Sequence, residues 1–88
     1  MFARKLIIER IDDAGVAHLC PIAQLDNFAM RNFTNDAIFD DTLPVGDGLL
    51  EIGNRVPVAR LQTEMQEWFV KKGYVKSGER VRVVEISS

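Results

Sequence analysis

The first 22 residues contain two apolar runs separated by a short polar segment. Leu and Ile are frequent from residue 2 to residue 11, turn-forming residues occupy 12–15, and apolar side chains return over 16–22. This pattern predicts a β-hairpin whose short loop contains Gly15. Pro21 has no N–H to donate to a neighbouring strand, so we expect the second strand to end near that residue.

The register of this hairpin follows from the length of its loop. If Ile11 pairs with Val16, antiparallel pairing places Glu9 opposite His18. Both faces of the hairpin are then partly apolar.

Residues 57–72 show the clearest helical period in the chain. Side chains on one predicted face recur at three- and four-residue steps. They are Val58, Leu61, Met65, Trp68 and Lys72. This spacing predicts an amphipathic helix over about 57–72. Pro57 suits the first turn of such a helix, and Gly73 suits the left-handed residue that ends many helices.

The segment between the hairpin and this helix is less regular. Apolar spacing over 23–33 predicts a short helix, and the turn residues of 35–48 predict a long acidic loop with interleaved apolar residues. Residues 49–52 predict a short strand that ends at the turn formers Gly53-Asn54. The alternative is a second hairpin over 49–58 that turns on the same two residues, with the helix beginning correspondingly later.

β-branched residues are dense from about residue 80 to residue 86, which predicts an inner strand. Together, these elements indicate an α+β fold in which the 57–72 helix packs on a small, mainly antiparallel sheet. A chain of 88 residues is long enough for one hydrophobic core, so residues 1–88 are predicted to form a single domain.

Composition excludes several classes of protein. A net charge of −2 with 47% hydrophobic and 27% charged residues is typical of a globular domain and not of a disordered chain. The single cysteine, Cys20, and the single histidine, His18, exclude a disulfide framework and a zinc finger. The sequence has no apolar run of about 18 residues and no secretory signal at its start, so we expect a cytoplasmic protein that does not bind membranes.

The sequence predicts no cofactor and no metal site. Its glycines lack the spacing of a phosphate-binding loop. Residues 40–51 have the length of an EF-hand calcium loop, but Pro44 and Val45 stand where a ligand and the required glycine belong.

Charge is unevenly distributed along the chain. Residues 12–54 carry eight carboxylates and one basic side chain, whereas residues 55–88 carry seven basic side chains and four carboxylates. An acidic surface attracts a basic partner and repels nucleic acid. The main hypothesis is therefore a non-enzymatic protein-binding regulator, inhibitor or adaptor whose partner has a basic surface. One form of this hypothesis is a phage or mobile-element protein that blocks the basic groove of a nucleic-acid-binding protein.

The predicted protein-binding residues lie mainly in the acidic region. They are Asp36, Phe39, Asp40, Asp41, Asp47, Glu51 and Phe69. Phe69 is included because a helix turns by about 100° per residue: with Trp68 on the core face, Phe69 either extends a wide apolar face or points outward as an interface anchor. The opposite charges of the two halves also favour self-association, so a homodimer is a further expectation.

Two alternative functions use other residues. Weak nucleic-acid binding would use a basic C-terminal patch that consists of Lys71, Lys72, Lys76, Arg80 and Arg82. A small cysteine-dependent enzyme would use Cys20 and His18, with Glu9 orienting the imidazole. Residues two apart on a strand lie about 6–7 Å from each other, which disfavours the enzyme, and no catalytic residue is predicted.

Overall fold

The computed structural model describes residues 3–30 and 41–86, and within them the chain forms five strands and two helices. In chain order these are β1 (Arg4–Ile11), β2 (Ala17–Leu19), α1 (Ile22–Ala29), β3 (Thr42–Gly46), β4 (Leu49–Ile52), α2 (Val58–Lys71) and β5 (Arg80–Glu85). The described strand pairs are all antiparallel. The predicted α+β fold is confirmed.

β1 is the central strand of the sheet. β5 pairs with one edge of β1 over residues 6–11. β4 and β2 share the other edge, where β4 pairs with residues 4–7 and β2 with residues 9–11. β3 pairs with β4 on the side away from β1. β1 therefore pairs with three of the four other strands.

Gly48 lies at the junction of β4 and β2. The N–H of Ile8 donates to the carbonyl of Gly48 at 2.7 Å, and the N–H of Gly48 donates to the carbonyl of Cys20 at 2.6 Å. The N–H of Cys20 completes the junction by donating to the carbonyl of Ile8 at 3.0 Å. Gly48 has a φ of +69°, which only glycine adopts without strain, so the junction depends on glycine at this position.

Both helices contribute to a single core on one face of the sheet. The largest fully buried side chains come from strands and helices alike. They include Leu6, Ile8, Leu25, Phe28, Leu50, Leu61, Met65 and Phe69. Full burial of one such side chain contributes about 1.5–3 kcal/mol, so this core supplies most of the favourable free energy of folding.

α2 begins and ends close to the predicted positions. Pro57 immediately precedes its first residue. At the other end, the N–H of Tyr74 donates to the carbonyl of Phe69 at 2.9 Å, and the N–H of Gly73 donates to the carbonyl of Val70 at 3.1 Å. These two bonds form a Schellman motif, and Gly73 has the left-handed φ of +80° that the motif requires. The predicted role of Gly73 is confirmed.

The hairpin register differs from the prediction by one residue. Ile11 pairs with Ala17 and not with Val16. The side chain of Asp12 explains the shift, because its Oδ1 accepts hydrogen bonds from the N–H groups of Ala14 and Val16, each at 2.9 Å. These bonds close a loop that is one residue longer than predicted, because residues 12–16 and not 12–15 lie between the paired residues. As a result, Glu9 does not lie opposite a histidine.

Other predictions for the middle and the end of the chain also need correction. The acidic loop predicted over 35–48 lies partly outside the described residues, and its described part contains the strand β3. The chain turns at Gly53-Asn54 into α2 and does not form a second hairpin there, since β4 pairs with β3 and β1. The helix predicted over 23–33 ends at Ala29. β5 is an edge strand because, among the described residues, it pairs with β1 alone.

Candidate functional site

The sheet face opposite the helices, called the open face below, carries a group of apolar side chains. Successive residues of a strand alternate between the two faces, so the positions next to the buried Leu6 and Ile8 lie on the open face. The registers place apolar residues of all five strands on that face. They are Ile7, Leu19, Leu43, Leu49 and Val84, with Val45 at the bulge of β3 and Ile86 directly after β5.

Five of these side chains are largely exposed. The exposed fractions are 55% for Leu19, 42% for Leu43, 41% for Val45, 41% for Val84 and 50% for Ile86. Single exposed aliphatic residues are common on protein surfaces, but several on one face of a sheet are typical of an interaction surface. A sheet face that is exposed only to water carries mainly polar residues.

Two ion pairs cross the open face. Oε1 of Glu9 accepts hydrogen bonds from Nη2 and Nε of Arg82 at 2.7 and 2.9 Å. Nζ of Lys5 lies 3.9 Å from Oε2 of Glu51. Each pair joins residues that face one another on neighbouring strands. Because these charges offset each other, apolar contact is the dominant chemistry at the centre of the face.

The structure describes three of the acidic residues that were predicted as a site, namely Asp41, Asp47 and Glu51. Asp36, Phe39 and Asp40 lie outside the described residues. Asp47 is exposed, but its Oδ1 accepts the N–H of Ile22 at 2.9 Å. This bond ties the turn between β3 and β4 to the first residue of α1, which gives Asp47 a structural role.

Asp41 and Glu51 lie on the β3–β4 side of the open face, where Lys5 of β1 offsets the charge of Glu51. Asp41 directly precedes β3, and its carbonyl accepts the N–H of Gly53 at 3.0 Å. Residues 41–54 contain three carboxylates and no Lys or Arg. The β3–β4 side of the sheet is therefore acidic, whereas β5 on the opposite side begins with Arg80 and also carries Arg82.

Phe69 is not a surface anchor, contrary to the sequence-based prediction. Its side chain is fully buried, and its ring centroid lies 6.1 Å from that of Phe28 and 5.3 Å from that of Tyr74. Trp68 is only partly buried and packs at the margin of the core. Phe69 is the core residue because Phe28 of α1 packs against it. The helical period of α2 alone does not specify this contact.

The predicted basic patch is divided into separate parts. Its five residues were Lys71, Lys72, Lys76, Arg80 and Arg82. Lys72 and Lys76 line a cavity of about 350 Å³ that also includes Arg10 of β1. Arg80 lines a different cavity beside α2, and Arg82 is held by a carboxylate of β1.

The cavity beside Arg10 has an excess of positive charge. Nη1 of Arg10 donates to Oε2 of Glu79 at 2.8 Å, and its guanidinium carbon lies 5.6 Å from the centre of the Tyr74 ring. Nζ of Lys72 lies 4.6 Å from the centre of the Trp68 ring. With Lys76, three cations and one carboxylate line this cavity, which favours an anionic group.

The structure places Cys20 and His18 in different environments. Cys20 is 1% exposed, and burial raises the pKa of its thiol to about 12. Nε2 of His18 lies 2.8 Å from Oδ2 of Asp12, and this contact, together with the N–H of Val16, lowers the pKa of Asp12. A nucleophilic thiol must be deprotonated and accessible, so this arrangement does not favour catalysis by Cys20.

The open face is not evident from the sequence pattern. Leu43 and Val45 fall within the predicted loop, and the contacts that place them in a strand come from β4. The available signal is the alternation of apolar and polar or small residues from Thr42 to Gly46, which Pro44 and the flanking turn formers obscure.

In residues 3–30 and 41–86, no group of three or more His, Cys, Asp or Glu side chains is placed to hold a metal ion. No helix in this part of the chain is long and apolar enough to cross a membrane.

A comparison of the chain with protein-family models, curated proteins and solved structures found no match.

Proposed function

We propose that this domain is a small non-enzymatic regulator or adaptor that binds another protein through its open face. The observation that carries the proposal is the group of five exposed apolar side chains on one side of the sheet. A protein interface has an apolar centre that becomes dry on binding and a polar rim. The open face has this arrangement, with Leu43 and Val84 among its apolar residues and two ion pairs beside them.

The charges around the open face define the chemistry of the partner. Asp41 and Glu51 lie on the β3–β4 side, where Lys5 offsets the charge of Glu51 and residues 41–54 supply no Lys or Arg. A partner with an apolar patch and with Lys or Arg side chains at one margin fits this surface. The basic margin would speed association and make the association rate fall with rising salt.

We also propose that the protein works in the cytoplasm. Cys20 is a free, buried thiol, and a reducing compartment preserves such thiols. Detection of the tagged protein in fractionated cells tests this location, and enrichment in an oxidising compartment would contradict it.

Substitution of Leu43 by Gln tests the docking surface directly. Leu43 is 42% exposed, so the polar side chain is tolerated by the fold but removes apolar contact area from the open face. We expect Leu43→Gln to weaken binding of the partner by about 10-fold, because one apolar interface residue contributes on the order of 1–2 kcal/mol. Val70→Gln is the matched control, since Val70 is 51% exposed but belongs to α2.

The partner is first captured from nuclease-treated lysate on the immobilised wild-type domain and then purified for titration. The proposal requires that Val70→Gln binds this partner as the wild type does and that Leu43→Gln binds it more weakly. Equal affinities of the two variants would reject the open face as the docking surface.

Weak nucleic-acid binding is a second candidate because Arg10, Lys72 and Lys76 line one cavity. This hypothesis predicts retention on a phosphate-bearing column at low salt and release as the salt concentration rises. Lys72→Gln combined with Lys76→Gln should abolish the retention. A wild-type protein that passes through the column at low salt would end this alternative.

A further inference from the structure

The outer edge of β5 leaves backbone groups unpaired. In β5, the backbone N–H and C=O groups of Arg82, Val84 and Ile86 point towards β1. The hydrogen bond from the N–H of Ile86 to the carbonyl of Lys5, at 3.0 Å, shows this direction. In an antiparallel ladder, the residues between them point their N–H and C=O groups the other way. Val81, Val83 and Glu85 therefore form the outer edge of the sheet.

α2 covers only the first of these three residues. Oε1 of Gln66 accepts the N–H of Val81 at 2.7 Å, and Nε2 of Gln62 donates to the carbonyl of Val81 at 3.3 Å. Beyond Val81, no described residue hydrogen-bonds the outward N–H and C=O groups of Val83 and Glu85. A strand edge of this kind is a template for pairing with another strand.

The opposite edge of the sheet is protected in ways that β5 is not. β3 carries Pro44, which has no N–H, and its register is interrupted by a bulge between Pro44 and Gly46. Both features prevent a further strand from pairing. Residues 80–86 of β5 and its extension contain neither a proline nor a bulge. Unlike β3, β5 therefore offers an edge that is open to another chain.

We propose that β5 pairs with β5 of a second copy of this chain, antiparallel and about a two-fold axis at Val84. In this register, Val83 of each copy exchanges two hydrogen bonds with Glu85 of the other, which satisfies the outward groups of both residues. On the open face, the side chain of Val84 lies opposite Val84 of the second copy. Arg82 faces Ile86 of the second copy, so no like charges lie opposite each other.

The neighbouring registers of a β5–β5 pair are unfavourable, so the two copies are expected to align at Val84. An axis at Val83 would require the backbone groups of Val81, which Gln62 and Gln66 already hold. An axis at Glu85 would place two carboxylates directly opposite each other, which is destabilising. The alignment at Val84 also brings together exposed apolar groups, since Val84 and Ile86 are 41% and 50% exposed.

Pairing in this way would join the two sheets and make their open faces continuous. The inference rests on backbone groups at the edge of β5, whereas the proposed function rests on side chains of the face. The two therefore fail or succeed independently, and a variant that blocks the edge without changing the exposed face separates them.

Val83→Pro is that variant. The N–H of Val83 points away from β1, so proline removes an outward donor and no bond of the β1–β5 ladder. Sedimentation equilibrium should give a wild-type mass near twice 9.9 kDa at high concentration and a Val83→Pro mass near 9.9 kDa, with unchanged circular dichroism. A wild-type mass of one chain from about 1 µM to about 1 mM, or assemblies larger than two, would overturn the proposal.

Cross-linking tests the register without relying on a proline variant. Facing residues in a non-hydrogen-bonded pair have Cα atoms about 4.5 Å apart, a separation that allows a disulfide. Under mild oxidation, Val84→Cys should form a disulfide-linked dimer at least 10-fold faster than Val70→Cys, whose position on α2 is similarly exposed. Equal rates for the two variants would reject the two-fold axis at Val84.

Discussion

Replacing Gly48 by alanine tests the junction that holds β2 and β4 on one edge of β1. A Cβ at this position would lie 2.5 Å from Cδ2 of Leu19, 3.1 Å from Cβ of Leu19 and 3.2 Å from the carbonyl oxygen of Ile8. The first atom is the end of a flexible, half-exposed side chain and can move. Cβ of Leu19 is bonded directly to the main chain and the Ile8 oxygen is a backbone atom, so neither can move without a shift of the junction itself.

The expected cost has two parts. The left-handed φ of +69° costs alanine about 1–2 kcal/mol, and the close contacts add about 1–3 kcal/mol. Gly15→Ala is the matched control, because Gly15 has a φ of +82° but has no heavy atom within 4 Å of the added Cβ. We expect Gly15→Ala to cost only the first part, about 1–2 kcal/mol.

Urea unfolding measures this difference. With a slope near 1 kcal/mol/M for a small domain, the midpoint should fall by about 1–2 M in Gly15→Ala and by about 2–5 M in Gly48→Ala. Leu19→Ala added to Gly48→Ala should recover part of the loss, since it removes the nearest contact atom. Equal midpoints for Gly48→Ala and Gly15→Ala would refute the argument that the junction is sterically closed.

Three further predictions concern the core and two titrating groups. Phe69→Ala should lower the free energy of unfolding by about 3–5 kcal/mol, because Phe69 is fully buried. The exposed control Val70→Ala should lower it by less than about 0.5 kcal/mol. Similar losses for the two variants in urea unfolding would contradict the burial of Phe69. Burial raises the pKa of Cys20 from an ordinary 9.0 to about 12, so the stability from the protonated thiol is present below pH 9.0 and is lost as the pH rises towards 12. Cys20→Ala should therefore flatten the alkaline fall of the unfolding midpoint, and an unchanged slope would argue against this assignment. The pKa of Asp12 is lowered from 3.8 by His18 and by backbone N–H groups, so its contribution is present above pH 3.8 and is lost as the pH falls through its lower folded value. The difference in midpoint between the wild type and Asp12→Asn should disappear in strong acid, and a constant difference would show that the carboxylate charge is not involved.

Sequence patterns predicted best the elements whose conformation depends on residues close together in the chain. α2 follows from the three- and four-residue spacing of its apolar residues and from Gly73 at its end. β5 follows from its β-branched residues, although its place at the sheet edge depends on which strand pairs with β1. The hairpin was also predicted, but its register depends on two bonds to Oδ1 of Asp12 that residue type alone does not reveal.

The elements that were missed depend on contacts between distant parts of the chain. β3 contains Pro44 and follows Asp41, which locally favours a loop, and its strand conformation comes from pairing with β4. The choice between Trp68 and Phe69 for the core likewise depends on where Phe28 lies. The open face combines residues of five strands, so it could not be recognised before the registers were known.

The residues of β1 connect the fold to the proposed docking surface. Leu6 and Ile8 point into the core, where apolar side chains are required, but Ile7 lies between them on the open face. A polar residue would satisfy folding equally well at that position, since an antiparallel strand with one face in water normally alternates apolar and polar residues. Leu49 and Val84, which face Ile7 from the two neighbouring strands, are apolar as well. Three facing apolar residues across three strands are not needed to build the core, so their presence supports the proposed contact with another protein surface.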